Sequence, residues 1–356
     1  MNSRRVIVSV LTAISLQFGQ LSAVSASERV FVALGDANAI GVIDATEDKV
    51  IGRIDGVPSA HGLSGTPDGR YLIAGSARPR PAGARPDAPP GVKEEDHVAH
   101  HPPTKPDSGS KGATGGMVTV IRQSDLTIVR QIDVRGGVHH VAVSPNSRLT
   151  VVTHPREGGI TVIDLDTFGI LAMPETGRGA NYAAFSVDGS RLYVTNGGDG
   201  TVSALKTSNW KIEQTFAVGR GPDHAAVSPN YTHLYVSNAD DGTATEVYLI
   251  DPRRMRTHTV GANPHGIDVS DDSVTVFVAA RADGKLVAIN HQTHQQRTLL
   301  LTPEPYHLVV VRQKDKLYVS SAKDPMIWVI DTKRLAVLRT ITIGGIGHQM
   351  VLGPSQ

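Results

Sequence analysis

Short runs of alternating apolar and polar residues, each bounded by Gly, Pro, Asp or Asn, recur along this chain at a period of roughly 42 residues. Each copy carries a turn: Thr66-Pro67-Asp68-Gly69, Ser144-Pro145-Asn146-Ser147, Ser186-Val187-Asp188-Gly189, Ser228-Pro229-Asn230 and Ser270-Asp271-Asp272. Arg312-Gln313-Lys314-Asp315 and Gly353-Pro354 are its degenerate sixth and seventh forms. After the turn comes a β-branched and aromatic run: Tyr71-Leu72-Ile73, Leu192-Tyr193-Val194, Leu234-Tyr235-Val236, Val276-Phe277-Val278 or Leu317-Tyr318-Val319. A polar loop follows, then a strand that stops on aspartate, as in Val42-Ile43-Asp44, Val162-Ile163-Asp164, Leu249-Ile250-Asp251 and Val329-Ile330-Asp331. No segment of the mature chain sustains a helical period, so the pattern predicts an all-β fold. Seven copies of a strand-only phrase predict a propeller, in which one position of every blade faces a common channel.

The Leu-Tyr-Val-Ser/Thr-Asn, Ser-Pro-Asp-Gly and Val-Ile-Asp pieces resemble the YVTN, or YncE-like, family of β-propeller repeats. The likeness covers the mature chain apart from one insertion, and it implies four strands per blade. It leaves the activity open, because the same scaffold hosts binding proteins, lyases and oxidases. The repeats begin with a second strand (residues 29–32) and end with a lone first strand (residues 347–351). One of the seven blades must therefore join the C-terminal strand to three N-terminal ones, which closes the ring and pairs its open edges.

Residues 76–116 break the regularity. This stretch is rich in Pro, Ala, Gly and charge, lacks an apolar period, and reads as a long loop between the second and third strands of its blade. It leaves from the face where the inner strands begin, so it hangs over the channel mouth. Its middle, Glu94-Glu95-Asp96-His97-Val98-Ala99-His100-His101, is a carboxylate and imidazole cluster. His97, His100 and His101, with His154 on a mouth-side loop, are candidate rim residues for holding a cofactor. The plain alternative for the cluster is a solvated charged linker.

At the N-terminus, Arg4-Arg5, the apolar residues 6–18 and Ala23-Val24-Ser25-Ala26 read as a signal peptide over residues 1–26. The propeller then occupies residues 27–356 and is expected to be periplasmic or secreted, with no membrane insertion after cleavage. With 35 Lys+Arg against 34 Asp+Glu and 4% aromatic residues, nothing points to nucleic acid. The absence of cysteine excludes disulfides, thiolate metal sites and covalent c-type haem.

In blade order the channel position reads His61, His139, Asn181, Asp223, His265, Tyr306, His348. His348, His61 and His139 fall on adjacent blades, with His265 approaching from the far side. Imidazoles ligate zinc and copper well, and three of them leave an open coordination position. His61, His139, His265 and His348 are thus the candidate metal ligands. Tyr306 and Asp223 are the candidates for orienting them or handling protons. The plain alternative is a water-filled channel in which each histidine bonds a neighbouring backbone, multiplied by duplication of one ancestral repeat. A second line, His140, His224 and His307 with Tyr182 and Gln349, lies one residue later, and strict alternation sends it between the blades. His233, His291 and His294 are expected at a solvated surface.

No Gly-x-Ser-x-Gly elbow, Gly-Lys-Ser/Thr phosphate loop or His-Glu-x-x-His helix is present. The leading expectation is a binding or accessory protein that takes copper, zinc or a small ligand at the channel mouth. A metal-dependent lyase or oxidoreductase, and a metal-free scaffold for another exported protein, are the alternatives.

Overall fold

The computed structural model describes residues 28–76, 80–81 and 114–353, and all 29 regular elements in them are β-strands. They form seven antiparallel sheets arranged as the blades of a propeller. From the axis outward, blade 1 consists of Gly347–Leu352, Arg29–Leu34, Ala39–Asp44 and Lys49–Asp55. The C-terminal strand pairs Leu352 with Val30 and Gly347 with Leu34, so the ring closes across the two ends of the chain as the repeat count requires. Blades 2 to 7 start from the inner strands Ala60–Gly65, Val141–Val143, Ala180–Phe185, Pro222–Val227, Pro264–Val269 and Pro305–Val311. Among the described residues no helix is long and apolar enough to cross a membrane.

The turn residues act through their side chains. Ser186 Oγ accepts the Arg191 N–H at 2.9 Å and donates to Asp188 Oδ1 at 2.6 Å, which closes the hairpin locally. The aspartates that end the third strands of blades 1, 3 and 7 cap the next turn in the same way: Asp44 Oδ1 accepts the N–H groups of Thr46 and Glu47 at 2.7 and 3.0 Å.

Seven apolar clusters fill the seven interfaces between neighbouring blades. Val32, Leu34 and Met350 of blade 1, for example, pack on Tyr318, Ile327 and Ile341 of blade 7. Fourth strands such as Lys49–Asp55 and Lys211–Ala217 are mostly exposed, so the core is a ring of layers around the axis.

In blade 2 the insertion separates Tyr71–Ser76 from Thr114–Arg122, and the short strand Arg80–Pro81 pairs back onto Thr114 and Gly115. Ser76 is registered against Ala60, at the start of the inner strand, so the insertion departs from the face that carries the channel residues. His97, His100 and His101, like the signal segment 1–26, lie outside the described residues.

Candidate metal centre on the propeller axis

The inner strands do not start as regular strands. Their register against the second strand shifts between Ala60 and Gly62, Ala180 and Ala183, Pro222 and Ala225, Pro264 and Ile267, and Pro305 and Leu308. A bulge of this kind suspends the strict alternation of side chains. Both residues of pairs such as Asp223-His224 and Tyr306-His307 consequently reach the axis.

The bulged backbone is held by the Ser/Thr of the Leu-Tyr-Val-Ser/Thr-Asn phrase. The N–H groups of His140, Tyr182, His224 and His307 donate to Thr153, Thr195, Ser237 and Ser320 hydroxyls at 3.0, 2.9, 3.1 and 3.2 Å. Three of those hydroxyls donate onward to the next blade: Thr153 to Asn181 O at 2.8 Å, Thr195 to Asp223 O at 3.0 Å and Ser237 to His265 O at 2.6 Å. Each hydroxyl thus satisfies a donor that the ladder cannot and ties one channel residue to the next.

The result is two stacked tiers of imidazoles. In the upper tier the His61 ring lies 4.5 Å from His139 and 4.4 Å from His348, centroid to centroid. His265 stacks on Tyr306 at 4.2 Å on the far side. The lower tier places His140 4.5 Å from His224, and His224 4.8 Å from His307. His140, His224 and His307 are therefore on the axis and not between the blades as alternation predicts; the bulge is the reason. Gly62 and Gly266 take the same lower position in blades 2 and 6. A Cβ there would come within 2.8 Å of His139 O or 2.6 Å of Tyr306 O, so these two blades contribute no lower-tier side chain.

The ligand atoms group into triads that cross the tiers: His61, His139 and His140; His61, His307 and His348; His224, His265 and His307, with the atoms of each set within 4.8 Å of one another. The four imidazoles singled out by the repeat thus do not form one set, since His265 groups with His224 and His307. His61 Nε2, His140 Nε2, His224 Nε2, His265 Nε2, His307 Nε2 and His348 Nδ1 are buried with no hydrogen-bond partner among the described residues. Buried polar atoms are normally paired, and an array of inward-facing imidazole nitrogens fits a nitrogen-ligated ion.

Polar neighbours set the orientation of several rings. Asp223 Oδ2 lies 2.5 Å from His265 Nδ1, and its other oxygen accepts a hydrogen bond from Asn181 Nδ2. His140 Nδ1 lies 3.1 Å from Gln349 Oε1. In both rings Nε2 is left to face the cluster, the arrangement by which an outer carboxylate or amide fixes a metal-binding imidazole. Both Asp223 oxygens are thereby engaged, one by His265 and one by Asn181. Tyr306 sits between the His265 ring and the Arg281 guanidinium, which lies 5.1 Å from its centroid.

Burial dominates the electrostatics. It pushes His265 and His348 down to about 4, holds His61, His140 and His307 well below the usual imidazole range, and lowers His139. Neighbouring imidazoles add to the shift of His61, His140 and His307. Burial opposes ionisation of Asp223, but the pull of His265 and His224 prevails and its carboxyl stays well below the usual carboxylate range. Burial raises the Tyr306 phenol to about 12. Burial thus favours the neutral form, the form that ligates metals, for His61, His139, His140, His265, His307 and His348.

His154 stands apart from this cluster. It is 3% exposed, with Nδ1 3.2 Å from Gly137 O and Nε2 2.8 Å from Thr161 Oγ1. Asn196 and Asn238 hold the same place in blades 4 and 5 and make the same bond across the hairpin, to Ser203 and Thr245 at 2.9 Å. His154 thus stands where the repeat phrase has its asparagine.

Below the lower tier the channel opens into a cavity of about 350 Å³ lined by Leu63, Val141, Ala183, Ile267, Leu308 and Met350, with Tyr182 and Gln349 at the cluster end.

Fold and site together define a seven-bladed β-propeller with an imidazole-lined axis. Solved structures of the same fold include the periplasmic gluconolactonase PpgL of Pseudomonas aeruginosa, at 15% identity and a TM-score of 0.69, covering 92% of this chain and 99% of that one. A protein of Desulfotomaculum acetoxidans whose function is not known matches at 13% identity and 0.70, over 93% and 100%. Kuenenia stuttgartiensis hydrazine synthase matches at 12% and 0.65, over 89% and 99%. At these identities the likeness is one of fold. No family model matches the sequence, and no curated protein matches it significantly.

Proposed function

We propose that this chain is an exported YVTN-type propeller that binds copper or zinc at the axial imidazoles and serves as a binding or accessory protein. One observation carries the reading: six buried histidine nitrogens from six blades, none with a hydrogen-bond partner among the described residues, converge on the axis. The donor set is nitrogen with a single supporting carboxylate, which suits zinc or copper and not the oxygen-seeking calcium or magnesium. The face of entry is the one from which the histidine-containing insertion departs. In this reading His97, His100 and His101 gather ions or a small ligand for the mouth.

Metal analysis of untagged protein after reconstitution with Cu2+ or Zn2+ tests the proposal. His61 and His307 each belong to two triads. H61Q and H307Q should therefore bind at least one equivalent less than the wild type while keeping its circular dichroism. A difference below about 0.1 equivalent between wild type and both variants would leave a metal-free scaffold for an exported partner as the better account.

A second reading is a metal-dependent enzyme. It is favoured by the half-buried, protonated Tyr306 phenol beside the His265 triad, in a channel whose Pseudomonas aeruginosa neighbour is named a gluconolactonase. It requires that metal-loaded protein open a gluconolactone ring and that H61Q abolish the turnover. A binder shows no turnover in either form.

A further inference from the structure

A second group of imidazoles lies on the outer strands between blades 5 and 6. Its centre is Glu246 on Thr243–Tyr248, 7% exposed. Cross-strand register brings neighbours onto its face of the sheet. Glu246 is opposite Tyr235 on one side and Arg256 on the other, so His233 and His258, each two residues from one of these, share that face. The turn between Lys285–Asn290 and Gln296–Leu300 of blade 6 brings His291 and His294 over it.

The two carboxylate oxygens divide the histidines between them. Oε1 lies 3.5 Å from His233 Nε2 and 3.4 Å from His291 Nδ1, with the Tyr235 hydroxyl also at 3.4 Å. Oε2 lies 3.3 Å from His258 Nε2. His294 Nδ1 is buried without a hydrogen-bond partner among the described residues. The ligand atoms of His233, Glu246 and His291 lie within 4.8 Å of one another, as do those of Glu246, His258 and His294.

These separations distinguish two explanations. Hydrogen bonds from imidazole to an ionised carboxylate run about 2.7–2.9 Å, and all of these contacts are longer. Two ligands bound at about 2.0–2.1 Å to one tetrahedral ion sit about 3.4 Å apart, which is the spacing found between the carboxylate oxygens and His233, His258 and His291. A set of two histidines and one carboxylate oxygen is a common ligand set for zinc with an open position. A carboxylate that presents one oxygen to each of two such sets is placed to bridge ions about 3.5–4 Å apart. His233, Glu246, His291 and His294 also line an open cleft of about 590 Å³, rimmed by Arg253, Arg254 and Arg256, so ions can enter from solvent.

We propose that Glu246 bridges a pair of divalent transition-metal ions, Zn2+ by its donor set, one held by His233, His291 and Oε1 and the other by His258, His294 and Oε2. The site is separate from the axis and stands whether or not the axis binds metal.

Calorimetric titration of the metal-free full chain with Zn2+, repeated with Co2+ for its optical spectrum, tests it. Glu246→Gln should bind two equivalents fewer than the wild type. The double variant His291→Ala/His294→Ala, confined to a surface turn, should lose the same two and guards against misfolding of the buried variant. H61Q and H307Q should keep both, which separates failure here from failure at the axis. Unchanged stoichiometry in Glu246→Gln and in the turn variant overturns the site. Loss of a single equivalent overturns the bridge.

Discussion

At the scale of the residue, the controlling fact is that burial disfavours protonation of His61, His139, His140, His265, His307 and His348 in the folded protein. Burial lowers His61, His140, His265, His307 and His348 from an ordinary value near 6.5, to about 4 for His265 and His348. Between about pH 4 and 6.5 the unfolded chain therefore binds more protons than the folded one, and stability rises with pH through that window. Each such histidine contributes a slope of up to about 1.4 kcal/mol per pH unit. The metal-free protein should be near its most stable above pH 7 and lose stability steeply as pH falls from 6.5 toward 4. Denaturant midpoints across that range check the sign; a flat profile would mean that the rings are solvated. His61, His139, His265 and His348 were legible from the sequence because the turn phrase anchors them at one repeat position. His140, His224 and His307 were visible as doublets with their predecessors, but alternation pointed them the wrong way. Nothing short of the bulge could have reversed that assignment. Glu246 was not read from the sequence, since its partners come from two blades; the available signal was a carboxylate where the other third strands carry Val or Ala, as at Val42, Val162, Ala204, Ala288 and Val329.

At the scale of the element, the second strand does more than cover the first. Its terminal Ser or Thr takes the N–H that the bulge strands and passes a hydrogen bond to the next blade. Ser237 is fully buried in this role, between the His224 N–H and His265 O. Ser237→Ala removes both bonds and leaves a buried donor unpaired, which should destabilise the fold by about 1–3 kcal/mol in urea unfolding. The same variant frees two members of the His224, His265 and His307 triad, so under the proposed function its metal affinity should fall as well. A stability loss with unchanged affinity would show that the hydroxyl supports only the strand. The motif that identified the repeat is thus the motif that shapes the axis, although the phrase itself says nothing of the bulge. Strand identities and order followed from periodicity and turn chemistry, which are local. The tilt of side chains at the bulge depends on pairing partners far away in sequence.

At the scale of the whole molecule, the blade count and the closing strand were legible because repeats can be counted from one end to the other. The closing strand is also a mechanical element: Met350 fills the interface between blades 1 and 7, and Gly347–Leu352 covers the edge of Arg29–Leu34. Removing residues 347–356 exposes that edge and takes His348 from the axis. The thermal midpoint should fall on the order of 10 °C, with loss of the whole disc in one transition; a melt at the wild-type temperature would show that the seam holds nothing. The two tiers have one more consequence. Rings from non-adjacent blades approach within 5.9 Å for His61 and His307 and 5.6 Å for His140 and His307. Both contacts are edge to face, so imidazole surface fills the span between these rings. The disc is therefore a double-ended vessel narrowed at its waist by imidazoles, with the insertion's face above and a chamber of about 350 Å³ beneath.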